Sequence, residues 1–191
     1  MRHVLTVAVL VVSSVLFAGG SAQAASLVVS DARGDVLSAD GAGETKVGTS
    51  VAHGDIVRTR FAHRQRAVVV RATYRSLQRS GLGTTHNIRI VTNAGLSHYL
   101  RVTAGPSAWS GTAVLHRPNG RHVECAVQHR INYGKNVLRV RIPRACLERP
   151  EWVRLGLRTA WSDGDRVLVD DAQRNSKAPR LIALTDRLVR G

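Results

Sequence analysis

The sequence predicts an all-β protein, a single antiparallel β-sandwich carrying one disulfide. Three observations predict it. Short runs of alternating apolar and polar residues recur along the chain, separated by turns rich in Gly, Asn and Asp. Apolar residues at helical spacing are scarce. The two cysteines, Cys125 and Cys146, bracket the runs Ala126–Ile131 and Val137–Ile142, which flank a polar turn at Asn132–Asn136. That is hairpin spacing. A turn centred near Lys135–Asn136 sets Cys125 opposite Cys146, so a disulfide would staple the open end of the hairpin.

The chain opens with an export signal. Arg2 and His3 are followed by the uncharged run Val4–Phe17 and by Ala22-Gln23-Ala24, a small-x-small cleavage pattern. The expected division is a signal peptide over residues 1–24 and a secreted domain over 25–191, extracellular and able to associate with the cell wall. The opening run is short for a bilayer span of about 20 residues, and no later stretch is apolar enough to serve as one. Two cysteines in an exported chain pair, and only one pairing is available. Closing that loop contributes on the order of 3 kcal/mol in the chain-entropy model.

Element by element, Leu27–Val29 alternates as a first strand, and residues 31–50 read as a flexible loop. Ile56–Phe61 and Ala67–Tyr74 follow as strands around a polar turn at His63–Arg66. Within the second, Val68, Val70, Ala72 and Tyr74 take one face and Arg71 and Arg75 the other. His86–Thr92 and His98–Thr103 pair around Asn93-Ala94-Gly95. Ala113–Cys125 reads as a hairpin around Asn119-Gly120, a two-residue type I′ signal. After the disulfide hairpin come Trp152–Thr159, a short strand Val167–Val169, a polar loop Asp170–Pro179 and a last strand within Leu181–Val189.

Charge supplies the functional lead. Lys and Arg number 28 against 13 Asp and Glu, a formal +15. Lysine occurs only at Lys46, Lys135 and Lys177, so the cations are almost all arginine. Arginine forms bidentate contacts with phosphate and carboxylate better than lysine does. Arg58, Arg60, Arg71, Arg75, Arg89, Arg101, Arg139, Arg141, Arg154 and Arg158 fall in strands, almost all of them opposite the apolar parity, and Trp152 shares the parity of Arg154 and Arg158. Arg71, Arg75, Arg139, Arg141, Arg154, Arg158 and Trp152 are therefore the expected ligand contacts, for an anionic cell-wall polymer such as a teichoic-acid-like phosphate chain. With aromatic residues at only 4%, base stacking disfavours nucleic acid as a specific ligand.

Asp31, Asp35 and Asp55 form a second pattern. Hard oxygen donors suit calcium, and Gly34 allows a sharp turn between the first two. These three are the expected ligands of a structural calcium, the one cofactor the sequence raises. Asp-x-x-Gly-Asp over Asp31–Asp35, followed by Gly54-Asp55-Ile56 at the head of an alternating strand, resembles the opening of secreted jelly-roll modules. These are the DOMON-like and family 9 carbohydrate-binding-type sandwiches. The resemblance covers about 30 residues and implies a jelly-roll-like sandwich, in some relatives with structural calcium. The longer layout is similar to a family of uncharacterised secreted actinobacterial proteins. It is carried by the signal segment, Gly54-Asp55-Ile56, Ile142–Leu147, Trp152-Val153-Arg154 and the final Arg190-Gly191. The chain departs from the sugar-binding pattern in lacking an evident aromatic platform.

Catalytic patterns are weak. There is no His-Glu-x-x-His and no Gly-x-Ser-x-Gly. A two-residue turn at Asn119-Gly120 would point His116 and His122 to opposite faces, and His53 and His63 would lie in loops at either end of one strand. Ser107, Ser110, Glu124, Glu148 and Glu151 have no partner visible in sequence. Asp163-Gly164-Asp165 and Asp170-Asp171 read as turn residues. The expected function is a non-catalytic extracellular binding module for an anionic envelope polymer. The alternatives are a carbohydrate- or protein-binding sandwich with incidental charge, centred on Trp109, Trp152 or Trp161, and then a secreted hydrolase.

Overall fold

The structure, a computed structural model, describes residues 25–39, 45–47, 50–163, 166–173 and 181–191. The expected signal segment lies outside the described residues. Two antiparallel sheets enclose one apolar core. The five-stranded sheet has the order β1-β4-β5-β11-β10, built from β1 (Ala25–Ser30), β4 (Ile56–His63), β5 (Ala67–Tyr74), β10 (Gln128–Asn132) and β11 (Val137–Pro143). The larger sheet runs β3-β2-β13-β12-β6-β7-β8-β9. Its strands are β2 (Leu37–Ala39), β3 (Thr45–Val47), β6 (Gly83–Thr92), β7 (Ser97–Gly105), β8 (Ala108–His116), β9 (His122–Val123), β12 (Trp152–Asp163) and β13 (Arg166–Asp171). A two-residue strand β14 (Leu188–Val189) pairs with the start of β12.

Alternation decides what is buried, because successive side chains in a strand point to opposite faces. In the small sheet the inward row is Leu27, Phe61, Val70 and Val140. The large sheet answers with Leu157, Ile88, Leu100 and Leu115. All but the half-buried Leu27 are essentially inaccessible. The register of β4 slips between Ile56 and Arg58. That bulge lets both Ile56 and Thr59 face inward, which strict alternation would forbid.

The disulfide joins Cys125 to Cys146, with Cα atoms 5.9 Å apart. The pairing is as expected, but the ladder is not. Gln128 faces Arg141 and Asn132 faces Val137, a register that would set Cys125 against Arg144. The hairpin turns through a 3₁₀ turn, Tyr133–Lys135, whose backbone N–H at Lys135 is capped by the Asn132 side chain, with Asn136 in the left-handed region. A second 3₁₀ turn, Arg144–Leu147, then brings Cys146 back to its partner. Both cysteines lie just beyond the strands.

Three other expectations are corrected. The stretch read as a loop over 31–50 contains β2 and β3, which extend the large sheet beside β13. His63 lies not in a turn but at the end of β4, fully buried, its Nδ1 donating to the Leu188 carbonyl at 2.9 Å. The segment from Leu181 forms a strand only at β14; before that it lies irregularly against β12, with the Thr185 N–H donating to the Leu155 carbonyl at 2.8 Å.

Candidate functional site

Register assembles the arginines of the small sheet. Arg60 on β4 faces Arg71 on β5, Arg71 faces Arg139 on β11, and Arg139 faces Arg130 on β10. Four arginines on four adjacent strands thus form one straight cross-strand row, about 14 Å long at the usual strand spacing. All four are exposed. Arg58 and Arg141 sit in the neighbouring rows of the same face. Among the described residues no carboxylate pairs with any of these six. Among the described residues, the side-chain hydrogen bond made by this group is from Arg60 to the Ser26 hydroxyl, at 3.3 Å.

The face is grooved. A depression of about 450 Å³ is lined by Arg60, Arg64, Arg71, Arg130 and Arg139, with Ala62, Val69 and Val137 as its apolar floor. Two smaller ones of about 250 and 280 Å³ continue it toward Arg58 and Arg141. Chemically this is a strip of guanidinium forks above short aliphatic side chains.

The structure divides the expected contact set. Arg71, Arg139 and Arg141 share this face. Arg154, Arg158 and Trp152 belong to β12 in the other sheet and point away from it. They also have internal partners. Arg154 Nε donates to the Thr185 carbonyl at 2.9 Å, and Arg158 pairs with Asp171 at 3.3 Å. The Arg187 guanidinium stacks 4.5 Å over Trp152. Arg75 follows the end of β5 and leans on Asp55 at 3.7 Å. Arg144, almost buried, spends its guanidinium on the carbonyls of Gln65, Arg149 and Pro150. Sequence parity could not separate outward positions of one sheet from outward positions of the other. Arg130 lies within the expected run Ala126–Ile131, but it joins the row only through the pairing of β10 with β11.

The aspartates gather at one edge of the core, with a member the sequence reading misplaced. Donor atoms of Asp35, Asp55 and Asp170 lie within 4.8 Å of one another. Asp170 is not a turn residue: it lies within β13, one residue from its end, on the inward parity of Leu168, and is 4% exposed. Its Oδ2 accepts the Ile56 N–H, and its Oδ1 accepts the Asp171 N–H at 2.8 Å. Asp55 is fully buried and accepts the Gly34 N–H at 2.9 Å. Gly34 has φ +77°, a conformation glycine adopts without cost, and the turn it makes carries both Asp31 and Asp35.

These carboxylates are under electrostatic pressure. Burial, reinforced by the charges of Asp170 and Asp35, pushes Asp31 up to about 8. Burial likewise raises Asp170 to about 7. Asp35 is raised by burial and by Asp55, and Asp55 by burial against the counter-pull of the Gly34 N–H and Arg75. Asp31 Oδ2, both oxygens of Asp35 and Asp55 Oδ1 are buried without a hydrogen-bond partner.

His53, His116, His122 and the tryptophans have local partners. His116 faces His122 directly across β8 and β9, ring centroids 6.3 Å apart, so the two share a face. The expected two-residue turn does not form. Pro118 and Asn119 are the central pair of a turn closed by Gly120 N–H to the Arg117 carbonyl, with Gly120 at φ +77°. Proline's fixed negative φ suits such a turn. Among the described residues no third histidine, cysteine or carboxylate joins the pair. His53 is buried, set edge-on to Trp161 at 4.6 Å. Trp109 meets Tyr133 edge-on at 6.3 Å, far from either of the other tryptophans in sequence and partners. No protein family, curated protein or solved structure matches the chain.

Proposed function

We propose that this protein is a non-catalytic, extracellular binding module that captures an anionic cell-envelope polymer on the arginine face of its five-stranded sheet. The observation that carries the reading is the row Arg60, Arg71, Arg139 and Arg130, exposed and without carboxylate partners among the described residues. A solvated outer face gains nothing from four like charges set directly opposite one another, since such pairs are destabilising. A polymer of phosphodiesters would neutralise the whole row at once. In the same proposal residues 1–24 direct export and are removed, and the two sheets around their common core are the layers of a jelly-roll-like β-sandwich. The three tryptophans, each in a separate intramolecular contact, favour this reading over sugar capture on an aromatic platform.

The test is binding to purified cell wall with and without its teichoic acids, across a salt series, beside basic standards of similar charge. The expected result is binding that needs the phosphate polymer, exceeds the standards and falls steeply with salt. Changing Arg71 and Arg139 to Ser should abolish the excess, whereas changing Arg101 and Arg121 to Ser, an equal loss of charge elsewhere, should not. Equal weakening by both pairs would mean that total charge, not this face, does the binding.

A further inference from the structure

We infer that Asp35, Asp55 and Asp170 hold one calcium ion, which clasps the two sheets together at the open edge of the core, with Asp31 at its margin. The four come from three separate parts of the chain. Asp31 and Asp35 sit on the crossing from β1 in the small sheet to β2 in the large one. Asp55 stands just before β4 in the small sheet, and Asp170 lies one residue from the end of β13 in the large sheet. Converging acids at such a junction repel one another unless protons or a cation neutralise them.

Four features point to a cation, and to its kind. First, Asp55 is completely buried, yet its Oδ1 has no hydrogen-bond partner. A buried carboxylate oxygen left unpaired is among the costliest arrangements a core can hold. Both oxygens of Asp35 and Oδ2 of Asp31 are in the same condition. Second, the donor atoms of Asp35, Asp55 and Asp170 fit within 4.8 Å, the diameter of a calcium coordination sphere with oxygens at about 2.3–2.6 Å. Third, the donors are all carboxylate oxygens, the hard set that calcium selects, with no histidine or thiol among them. Fourth, the charges match. Arg75 contacts Asp55, and Arg33 also acts on it. With all four carboxylates ionised, the two guanidiniums leave the equivalent of one divalent ion to be supplied.

The site is also braced. The Gly34 N–H fixes Asp55, and the N–H groups of Ile56 and Asp171 fix Asp170, so these ligands are held before any ion arrives. Asp35 is braced by no other residue, which makes it the ligand to remove without breaking the fold.

The experiment uses the full protein with its disulfide intact, stripped with a chelator and titrated separately with calcium and magnesium. Heat of binding and thermal unfolding are both followed. The expected result is one calcium per chain and a melting temperature that climbs with calcium concentration by mass action. Magnesium, which demands a tighter octahedron, should bind at least ten-fold more weakly. Asp35→Asn should weaken calcium binding at least ten-fold. In chelator, however, it should melt no lower than the parent, because it removes a repelling charge that bonds to no other residue. Asp186→Asn, at an exposed position outside the cluster, should bind as the parent does. The proposal fails if the folded parent takes up no calcium at about 10 mM, well above the range of weak extracellular calcium modules. It fails equally if Asp35→Asn binds calcium undiminished, or if magnesium binds as tightly. None of these results bears on the arginine face, which the wall-binding assay tests separately.

Discussion

Arg71 and Arg139 stand directly opposite each other on adjacent strands of the small sheet, each continued by another arginine on its far side. Two exposed charges about 4 Å apart in water repel by roughly 1 kcal/mol, and cross-strand like pairs cost a comparable amount. Replacing both with Thr, a good strand former, should therefore leave stability unchanged or raise it by up to about 1 kcal/mol. Salt should stabilise the parent more than the variant, since added ions screen a repulsion the variant lacks. Thermal melts in low and high salt check both points. A loss of stability on substitution would show the arginines supporting the sheet instead of straining it.

The disulfide holds the edge of the same face. β10, which carries Arg130, pairs with β11 alone inside its sheet, and the bond from Cys125 to Cys146 closes that hairpin outside its ladder. Replacing both cysteines by Ser should cost about 2–4 kcal/mol, read from denaturant midpoints at constant slope. Hydrogen exchange should show the loss first in residues 128–132. Uniform exchange across the molecule would instead mean that the bond acts only on the unfolded chain.

Strand positions and inward parity were legible because alternation is a local signal. Ala67–Tyr74 reads in sequence as it stands in the structure. What sequence could not supply was any quantity set by two distant strands. The row from Arg60 to Arg130 depends on the order β4-β5-β11-β10, and no local pattern encodes that order. The same gap put Arg154 and Arg158 on one imagined surface with Arg139. Turn details failed for a different reason. Asn119-Gly120 favours a type I′ turn taken alone, but Pro118 has no N–H to pair with Arg121 across such a turn; it takes a central place in the turn instead, and the register shifts so that His116 meets His122.

The aspartate cluster was half legible. Asp31 and Asp35 could be grouped because Gly34 lies between them, and Asp55 because it heads a strand. Asp170 looked like a turn residue because it begins a polar stretch. Its place is set by parity with Leu168, which Val167 and Val169 conceal by being apolar on the other face. In an apolar run both faces look inward, and only the register with β12 decides.

His86 should make the protein acid-sensitive. It is fully buried, sharing Nδ1 with Tyr74 Oη at 2.9 Å and Thr159 Oγ1 at 3.1 Å. Burial, aided by the charge of His53, pushes it down to about 3. Tyr74, raised mainly by burial, is its other titratable neighbour and stays neutral across the acid range. The unfolded chain takes up a proton near pH 6.5, where the folded chain does not. Protons therefore favour unfolding between pH 6.5 and about 3, and stability falls as pH falls through that window. His86→Gln is destabilising at pH 7 through lost packing, but its deficit should shrink toward pH 4 by up to about 1.4 kcal/mol per unit. Denaturant titrations of both proteins across that range give the difference directly. A constant deficit would mean that His86 is protonated in the folded state.

Gly156 is where the C-terminal segment seats on the large sheet, and space, not backbone freedom, is the reason for glycine there. A Cβ at this position would lie 1.9 Å from the Ala183 carbonyl oxygen and 2.8 Å from Ile182 Cγ2. The segment is otherwise well tied. The Thr185 N–H reaches the Leu155 carbonyl at 2.8 Å, Arg154 reaches the Thr185 carbonyl at 2.9 Å, and the Gln173 side chain donates to the carbonyls of Leu155 and Ala183. Gly156→Ala must push the Ala183 backbone outward or strain β12, at a cost of about 1–3 kcal/mol typical of overpacking. Because the segment ends in only a two-residue strand, it should yield before the sheet does. Limited proteolysis should then cut the variant between Leu181 and Arg187 while the rest of the domain stays resistant. Cleavage no faster than in the parent, with the whole stability loss appearing as a lower global midpoint, would place the strain in β12 and show the segment to be part of the cooperative core.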